Sequence, residues 1–223
     1  MRAEAAGDDL VARLKRLDCC AVSDALDKLG LAGVVLGLPQ VSSSRRIAGR
    51  VLTVKLGVGA LPHGVIRHNG TTAIMSAKPG DIIVVEQRSG TPAAAWGGIL
   101  SLGAKLRGVA GVIAEGPVRD VDEARQHDFP VFARSATPIT SRGRIVELAN
   151  NQPVKIGEVE VKAGDYAIAD ASGVAFISAE NAERVVATAE EIVAREAAMA
   201  KALYEGKAIT DVMGANYEHM LRS

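Results

Sequence analysis

Apolar positions along the chain fall into two spacings, one helical and one extended. Leu10, Leu14 and Leu17 recur at helical intervals within residues 8–17 and predict a first helix. A second short helix is expected over Val22–Leu29, opened by Ser23 or Asp24 and stopped by Gly30. Val51–Leu56 alternates and is β-branched, which predicts a strand. Ile82–Glu86 is a continuous apolar run after a Pro-Gly-Asp turn, the pattern of a strand buried on both faces. Pro92–Arg107 is rich in Ala and Leu and is expected to be helical. It leads through Gly108 into a second buried strand, Val109–Ala114, then a short helix over Asp120–His127 and a strand at Val131–Ala133. Short strands follow at Val154–Ile156, Val159–Val161, Tyr166–Ala169 and Val174–Ile177, before a long helix from about residue 181 to 205. Lys78-Pro-Gly-Asp81 and Lys162-Ala-Gly-Asp165 each feed a strand that ends on an acid, an echo that turn chemistry explains without a site. The order predicts a single mixed α/β domain over residues 1–223, with its core at about 20–180.

Composition narrows the function. The 223 residues carry 26 basic and 26 acidic side chains, so the basic excess that a nucleic-acid binder uses to neutralise phosphates is missing. Aromatics are 3%, too few for base-stacking platforms. The two cysteines, Cys19 and Cys20, are adjacent, which excludes a disulfide framework and a cysteine zinc site and suits small buried side chains. No stretch reaches the ~18 consecutive apolar residues of a membrane span, and Met1-Arg2-Ala3-Glu4 does not open a signal peptide. A soluble, cytoplasmic enzyme with no nucleic-acid or membrane partner is expected.

The segment Ala95-Trp-Gly-Gly-Ile-Leu-Ser101, then a helix, then a strand ending in Gly116-Pro-Val-Arg-Asp120, carries the candidate chemistry. In a β-α-β crossover the start of the helix and the end of the following strand can meet at one sheet edge, where ligands collect. Gly97 and Gly98 let a ligand approach the backbone, and the N–H groups of Gly98, Ile99 and Leu100 would cradle a carboxylate. Arg119 offers a permanently charged fork to a carboxylate or enolate, and Asp120 a hard oxygen suited to Mg²⁺ held mostly by water. The same residues also fit a surface ion pair and a packing Gly-Gly, so both readings stand on the residues alone.

Several segments resemble the RraA-like family, which includes class II 4-hydroxy-4-methyl-2-oxoglutarate / 4-carboxy-4-hydroxy-2-oxoadipate aldolases. They are Val22–Gly30, Gly49–Thr53, Pro79–Asp81, Trp96–Leu100, Arg107–Gly111, Gly116–Asp120, Phe129–Phe132 and Ala169–Val174, in order over roughly residues 20–200. The resemblance implies a swivelling β/β/α domain with a long C-terminal helix, assembled as a homotrimer or dimer of trimers. It implies that Gly97, Gly98, Ile99, Leu100 and Arg119 hold the pyruvyl group of a small 2-oxo acid, and that Asp120 binds Mg²⁺, Mn²⁺ or another divalent cation. The implied reaction is metal-dependent cleavage of a 4-hydroxy-2-oxo acid to pyruvate and a second 2-oxo acid, with oxaloacetate decarboxylation through the same enolate. The family signature is an acid, twenty residues, then Arg-Asp; here the acid's place is Gly98, which departs from the pattern. The alternative is a non-catalytic regulator that binds and inhibits a ribonuclease, as some members do. Those regulators commonly lack the acid that Asp120 provides here. Nothing resembles a nucleotide-binding Gly-x-Gly-x-x-Gly loop.

The seam Val185, Ala189, Ile192, Glu196, Met199, Leu203 places one carboxylate in an apolar helical stripe. Some members lend a Glu from this helix to a neighbouring subunit's pocket, which makes Glu196 a catalytic candidate; the other reading is an acid reaching water beside Arg195. His63 and His68, in the Gly-rich stretch 57–70, are expected to face solvent, and His127 and His219 to be structural or exposed. Lys55 and Lys105 lack surroundings that mark Schiff-base lysines.

Overall fold

The computed structural model describes residues 9–60 and 68–214. Residues 9–14 form α1, followed by α2 (Cys19–Lys28), β1 (Val34–Val35), β2 (Ile47–Gly57), α3 (Thr71–Ser76), β3 (Ile82–Gln87), α4 (Gly98–Leu106) and β4 (Gly111–Val118). Then come α5 (Val121–Gln126), β5 (Val131–Ala136), β6 (Val146–Asn150), β7 (Val154–Ile156), β8 (Val159–Val161), β9 (Tyr166–Asp170), β10 (Gly173–Ile177), α6 (Ala182–Tyr204) and α7 (Ile209–Val212).

β2, β3, β4 and β5 run parallel side by side, and α4 makes the expected crossover from β3 to β4. The eleven residues of β2 serve two partners: Ile47–Arg50 pairs antiparallel with β9, and Val54–Gly57 with β6. β10 and β1 extend the β9 side, while β7 and β8 form a separate hairpin. Both faces of the parallel strands are covered, which is why their sequences are continuously apolar. Ile83 and Val85 face a core shared with α3, α4 and α5. Ile82 and Val84 face the opposite core, with Val154, Ile156 and Val161 of the hairpin. A third core joins α1, α2 and α6 to β9 and β10 through Leu14, Val22, Ile168, Ile177 and Val185.

Three expectations need correction. α2 begins at Cys19, because Asp18 caps it by accepting the Ala21 N–H at 2.8 Å and Asp170 takes the Cys19 N–H at 2.8 Å. Pro92–Gly97 is not helical. Its Ala94 and Ala95 amides are committed to Ile139 O (2.9 Å) and Pro117 O (2.7 Å), so the helix starts only at Gly98. Asp120 stands outside α5, in a left-handed conformation. The two Gly-Asp turns are indeed architectural: Asp81 accepts the Lys78 N–H at 2.8 Å, and Asp165 accepts the Lys162 N–H at 2.7 Å. Among the described residues no helix is long and apolar enough to cross a membrane.

Candidate active site

The end of β4 is bent toward the start of α4. Its register against β5 slips between Ala114 and Pro117, and Gly116 sits there at φ 150° with Gln87 Cβ 2.9 Å from where a side chain would begin. Such a bulge re-aims the residues that follow. Past it, Arg119 N–H donates to Trp96 O at 2.9 Å, and with Ala95 N–H on Pro117 O this zips segment 92–97 to the strand end. Asp120 then adopts φ 57°, ψ 40°. That conformation costs a side-chain-bearing residue about 1–3 kcal/mol and persists only where the surroundings enforce it. Here the carboxylate enforces it: Oδ2 accepts the Gly98 N–H at 3.1 Å, and both oxygens accept Arg119 Nε at 3.1 Å.

α4 has no side-chain cap of its own, since its cap residue is Gly97. Asp120 fills that role from the neighbouring strand. The expected three-amide cradle is therefore reduced: Gly98 N–H is engaged, and Ile99 and Leu100 keep the unclaimed amides of the first turn among the described residues. Among the described residues Arg119 uses only Nε, on Asp120, and its two terminal guanidinium nitrogens have no acceptor. Below them Trp96 Nε1 donates to Ser101 Oγ at 3.0 Å, and Ser101 Oγ to Gly97 O at 3.1 Å. Both side chains are buried and make the floor rigid. These groups line a cleft of about 170 Å³, with His68 and Arg142 on its rim. It is smaller than the ~300–1,000 Å³ of drug-sized pockets and suits a small acid.

Next to Gly98 stands an acid that sequence reasoning missed. A Cβ on Gly98 would overlap Oε2 of Glu123 and lie 2.8 Å from its Cδ and 3.1 Å from Asp120 Cβ. The Glu123 carboxylate, reaching across from α5, thus lies where a side chain at position 98 would begin, although Glu123 is not among the residues that line the cleft. The available signal was an acid three residues beyond Asp120, on the first turn of the helix that follows it.

Other candidates fall elsewhere. The stripe on α6 is buried at Val185, Ala189 and Ile192 and then leaves the core, so Glu196 is exposed and does not line its own chain's cleft. Partial burial and the nearby Asp18 and Asp24 carboxylates push its acid above the ordinary range. His68 is exposed; His63 and His219 lie outside the described residues. Lys55 pairs with Glu86 at 3.6 Å, Lys105 donates to His127 O, and neither lines the cleft. A larger hollow of about 470 Å³ beside α2 has Asp24 and Asp170 but no cation among its walls, which leaves it unsuited to an anionic substrate. No group of three His, Cys, Asp or Glu able to hold a metal is assembled among the described residues. The Asp120 carboxylate nevertheless supplies a hard oxygen donor that fits Mg²⁺ retaining most of its waters.

A mixed α/β frame thus sets an Arg-Asp pair against a glycine-led helix N-terminus. The chain belongs to the RraA-like family: the family model described as Aldolase/RraA matches residues 19–176. It is 31% identical over 149 residues to the 4-hydroxy-4-methyl-2-oxoglutarate aldolase of Thermus thermophilus, covering 63% of this chain and 83% of that protein. It is 27% identical over 181 residues to protein DlpA of Legionella pneumophila, covering 80% of this chain but only 29% of DlpA. Among solved structures, an uncharacterized protein from Pseudomonas syringae pv. tomato matches with TM-score 0.81 at 24% identity, over 93% of this chain and 98% of that one. Streptomyces coelicolor RraAS2, described as an unusual member of the RNase ES inhibitor RraA protein family, matches with TM-score 0.72 at 24% identity, over 84% and 93%. These two likenesses show the fold.

Proposed function

We propose that the chain is a divalent-metal-dependent carbon-carbon lyase that cleaves a 4-hydroxy-2-oxo acid to pyruvate and a second 2-oxo acid, and that also decarboxylates oxaloacetate. The observation that carries this reading is the Glu123 carboxylate standing where Gly98 lacks a side chain, beside the Arg119–Asp120 pair. The Ile99 and Leu100 amides hold the C1 carboxylate, helped by the positive end of α4. The free nitrogens of Arg119 face the 2-oxo oxygen, where negative charge grows as the bond to C4 breaks. Glu123, directly or through one water, accepts the 4-hydroxyl proton. The C3–C4 bond then breaks, its electron pair becomes the pyruvate enolate, C4 leaves as a carbonyl, and C3 takes up a proton. Oxaloacetate needs no hydroxyl deprotonation, so its decarboxylation depends on Arg119 more than on Glu123. A divalent cation held by Asp120 would, when bound, supply Lewis-acid stabilisation of the enolate charge.

The same reading includes a homotrimer, or a dimer of trimers, in which Glu196 reaches the cleft of a neighbouring copy. It is supported by Ile99 and Leu106, two turns apart on α4 and each 79% exposed, a surface that a second copy would cover. The test is pyruvate release from a panel of 4-hydroxy-2-oxo acids and from oxaloacetate, with Mg²⁺ and with EDTA. Release is expected with metal and is expected to disappear with EDTA and in Arg119→Ala. Turnover that survives EDTA overturns the metal-dependent mechanism.

The exposed α4 face also favours a second reading, a regulator that binds a ribonuclease through that face. Stoichiometric recovery of a ribonuclease in a pulldown, with no turnover of any 2-oxo acid, would select it.

A further inference from the structure

Aldol cleavage and decarboxylation both leave C3 of a pyruvate enolate in need of a proton. Glu123 gains one from the 4-hydroxyl in the first reaction and none in the second, so it is no common source. Arg119 and Arg142 line the cleft, but a guanidinium keeps its protons at any working pH. Trp96 Nε1 is committed to Ser101 Oγ at 3.0 Å, and Ser101 Oγ to Gly97 O at 3.1 Å. The Asp120 oxygens accept from Gly98 and Arg119. Among the described residues that line the cleft this leaves His68. Imidazole is the side-chain type that ordinarily gains and loses a proton near neutral pH.

Backbone bonds fix where His68 stands. Its carbonyl accepts the Thr71 N–H at 3.2 Å and the Thr71 hydroxyl at 2.7 Å. Asn69 Nδ2 donates to Ile145 O at 3.4 Å, and Gly70 N–H to Glu147 Oε2 at 2.6 Å, which fastens residues 68–70 to β6 and the residue before it. His68 Nδ1 lies 3.1 Å from Asn69 O. A carbonyl only accepts, so Nδ1 carries the hydrogen in that contact, and Nε2 is the nitrogen left to exchange protons. The ring is also exposed, so solvent can recharge it after each transfer.

We propose that His68 is the acid that delivers a proton from Nε2 to C3 of the pyruvate enolate. The electron pair freed when C3–C4 breaks takes that proton at C3, C2 regains its carbonyl, and the neutral ring takes a proton from solvent. This rests on the 2-oxo acid reading of the cleft.

In the reverse direction the neutral ring removes a methyl proton from pyruvate. The wild type with Mg²⁺ should therefore exchange the methyl hydrogens of pyruvate for deuterium in D₂O, followed by proton NMR. His68→Gln should slow that exchange by roughly 10²- to 10⁴-fold, the usual contribution of a positioned acid or base. Oxalate, a planar dianion shaped like the enolate, takes up no proton, so titration calorimetry should find its affinity nearly unchanged in the variant. His68 is exposed and its backbone bonds survive the substitution, so an unchanged melting temperature is expected. Exchange by His68→Gln at the wild-type rate, or oxalate binding lost in parallel with exchange, overturns the inference, as does a wild type that exchanges nothing. Exchange that depends on His68 in a protein that cleaves or decarboxylates no substrate supports it while sinking the lyase reading. Turnover together with exchange indifferent to His68→Gln does the reverse.

Discussion

If Glu123 stands in for an acid at position 98, the two positions must be coupled. The perturbation is a double-mutant cycle between Gly98→Asp and Glu123→Ala. The backbone at Gly98 is helical with negative φ, so aspartate is conformationally allowed there, and the first turn of α4 favours an acid by about 0.3–1 kcal/mol. The obstacle is Glu123: its Cδ lies 2.8 Å from the new Cβ, and its carboxylate oxygen overlaps it. Glu123 is the flexible end of an exposed residue and can swing aside, whereas Asp120 Cβ at 3.1 Å has only to yield slightly. Gly98→Asp alone therefore folds but crowds two carboxylates against Asp120. Like charges ~4 Å apart repel by about 1–4 kcal/mol between bulk water and a protein surface.

Glu123→Ala should lower kcat for aldol cleavage by roughly 10²- to 10⁴-fold, the usual contribution of a positioned base. Gly98→Asp alone should also lose activity. The double variant, in which the aspartate has the space to itself, should return to within about 10-fold of wild type. Rescue from that loss to within 10-fold is a recovery of at least about 1.4–4.1 kcal/mol, since each tenfold is about 1.4 kcal/mol, and the loss in Gly98→Asp alone adds to the coupling energy. Pyruvate release coupled to NADH oxidation measures all four proteins, with thermal melts as the folding control. Additive losses, or full activity in Glu123→Ala, would refute the substitution of one acid for the other.

Burial and the nearby Asp170 carboxylate raise the Cys19 thiol to about 12. A thiol reagent at pH 8 should thus titrate one sulfhydryl, the exposed Cys20, in native protein and two after denaturation. Arg13 binds Glu190 through two hydrogen bonds, at 3.0 and 2.8 Å, and holds its acid below the ordinary 4.5. The unfolded chain then takes up that proton first, so the clamp between α1 and α6 acts fully above pH 4.5 and fades as pH falls through the folded value. Arg13→Ala should lower Tm at pH 7 and matter progressively less in acid. Glu196 has the opposite sign: its raised acid makes stability greatest below the ordinary value and declining as pH rises through the folded one. Glu196→Gln should raise Tm at pH 7 and change nothing well below pH 4; a fall at pH 7 would contradict the assigned repulsion from Asp18 and Asp24.

The parallel strands were legible because both their faces are buried, which leaves an uninterrupted apolar run in β3 and β4. The 23-residue α6 was legible from its stripe and from Gly206, at φ 89° just past its end. β6 was not: its residues are half-exposed, and its strand character comes from pairing with β2, a long-range contact without local signature. The Ala-rich approach to α4 misled, because helix propensity yields where tertiary hydrogen bonds claim the amides. Arg119 and Asp120 were found from their position after a buried strand. Glu123 was hidden because it meets Gly98 only once α5 packs on α4.

Moving the acid from α4 to α5 also changes how firmly it is held. An aspartate at position 98 would be fixed by the helix backbone with two torsions between carboxylate and chain. Glu123 adds a methylene and a torsion, and ordering such a side chain costs up to about 1.5–2 kcal/mol. That cost is met locally only if something gathers the carboxylate inward. The backbone around it is already committed: Asp120 is held left-handed by its bonds to Gly98 and Arg119, and α5 begins at the next residue. The strained residue therefore fixes where α5 starts, and with it the point from which Glu123 reaches toward Gly98. Relaxing Asp120, as Asp120→Ala would, removes the cap on α4 and the anchor of α5 together. The two carboxylates are coupled through the backbone before any ligand couples them through charge.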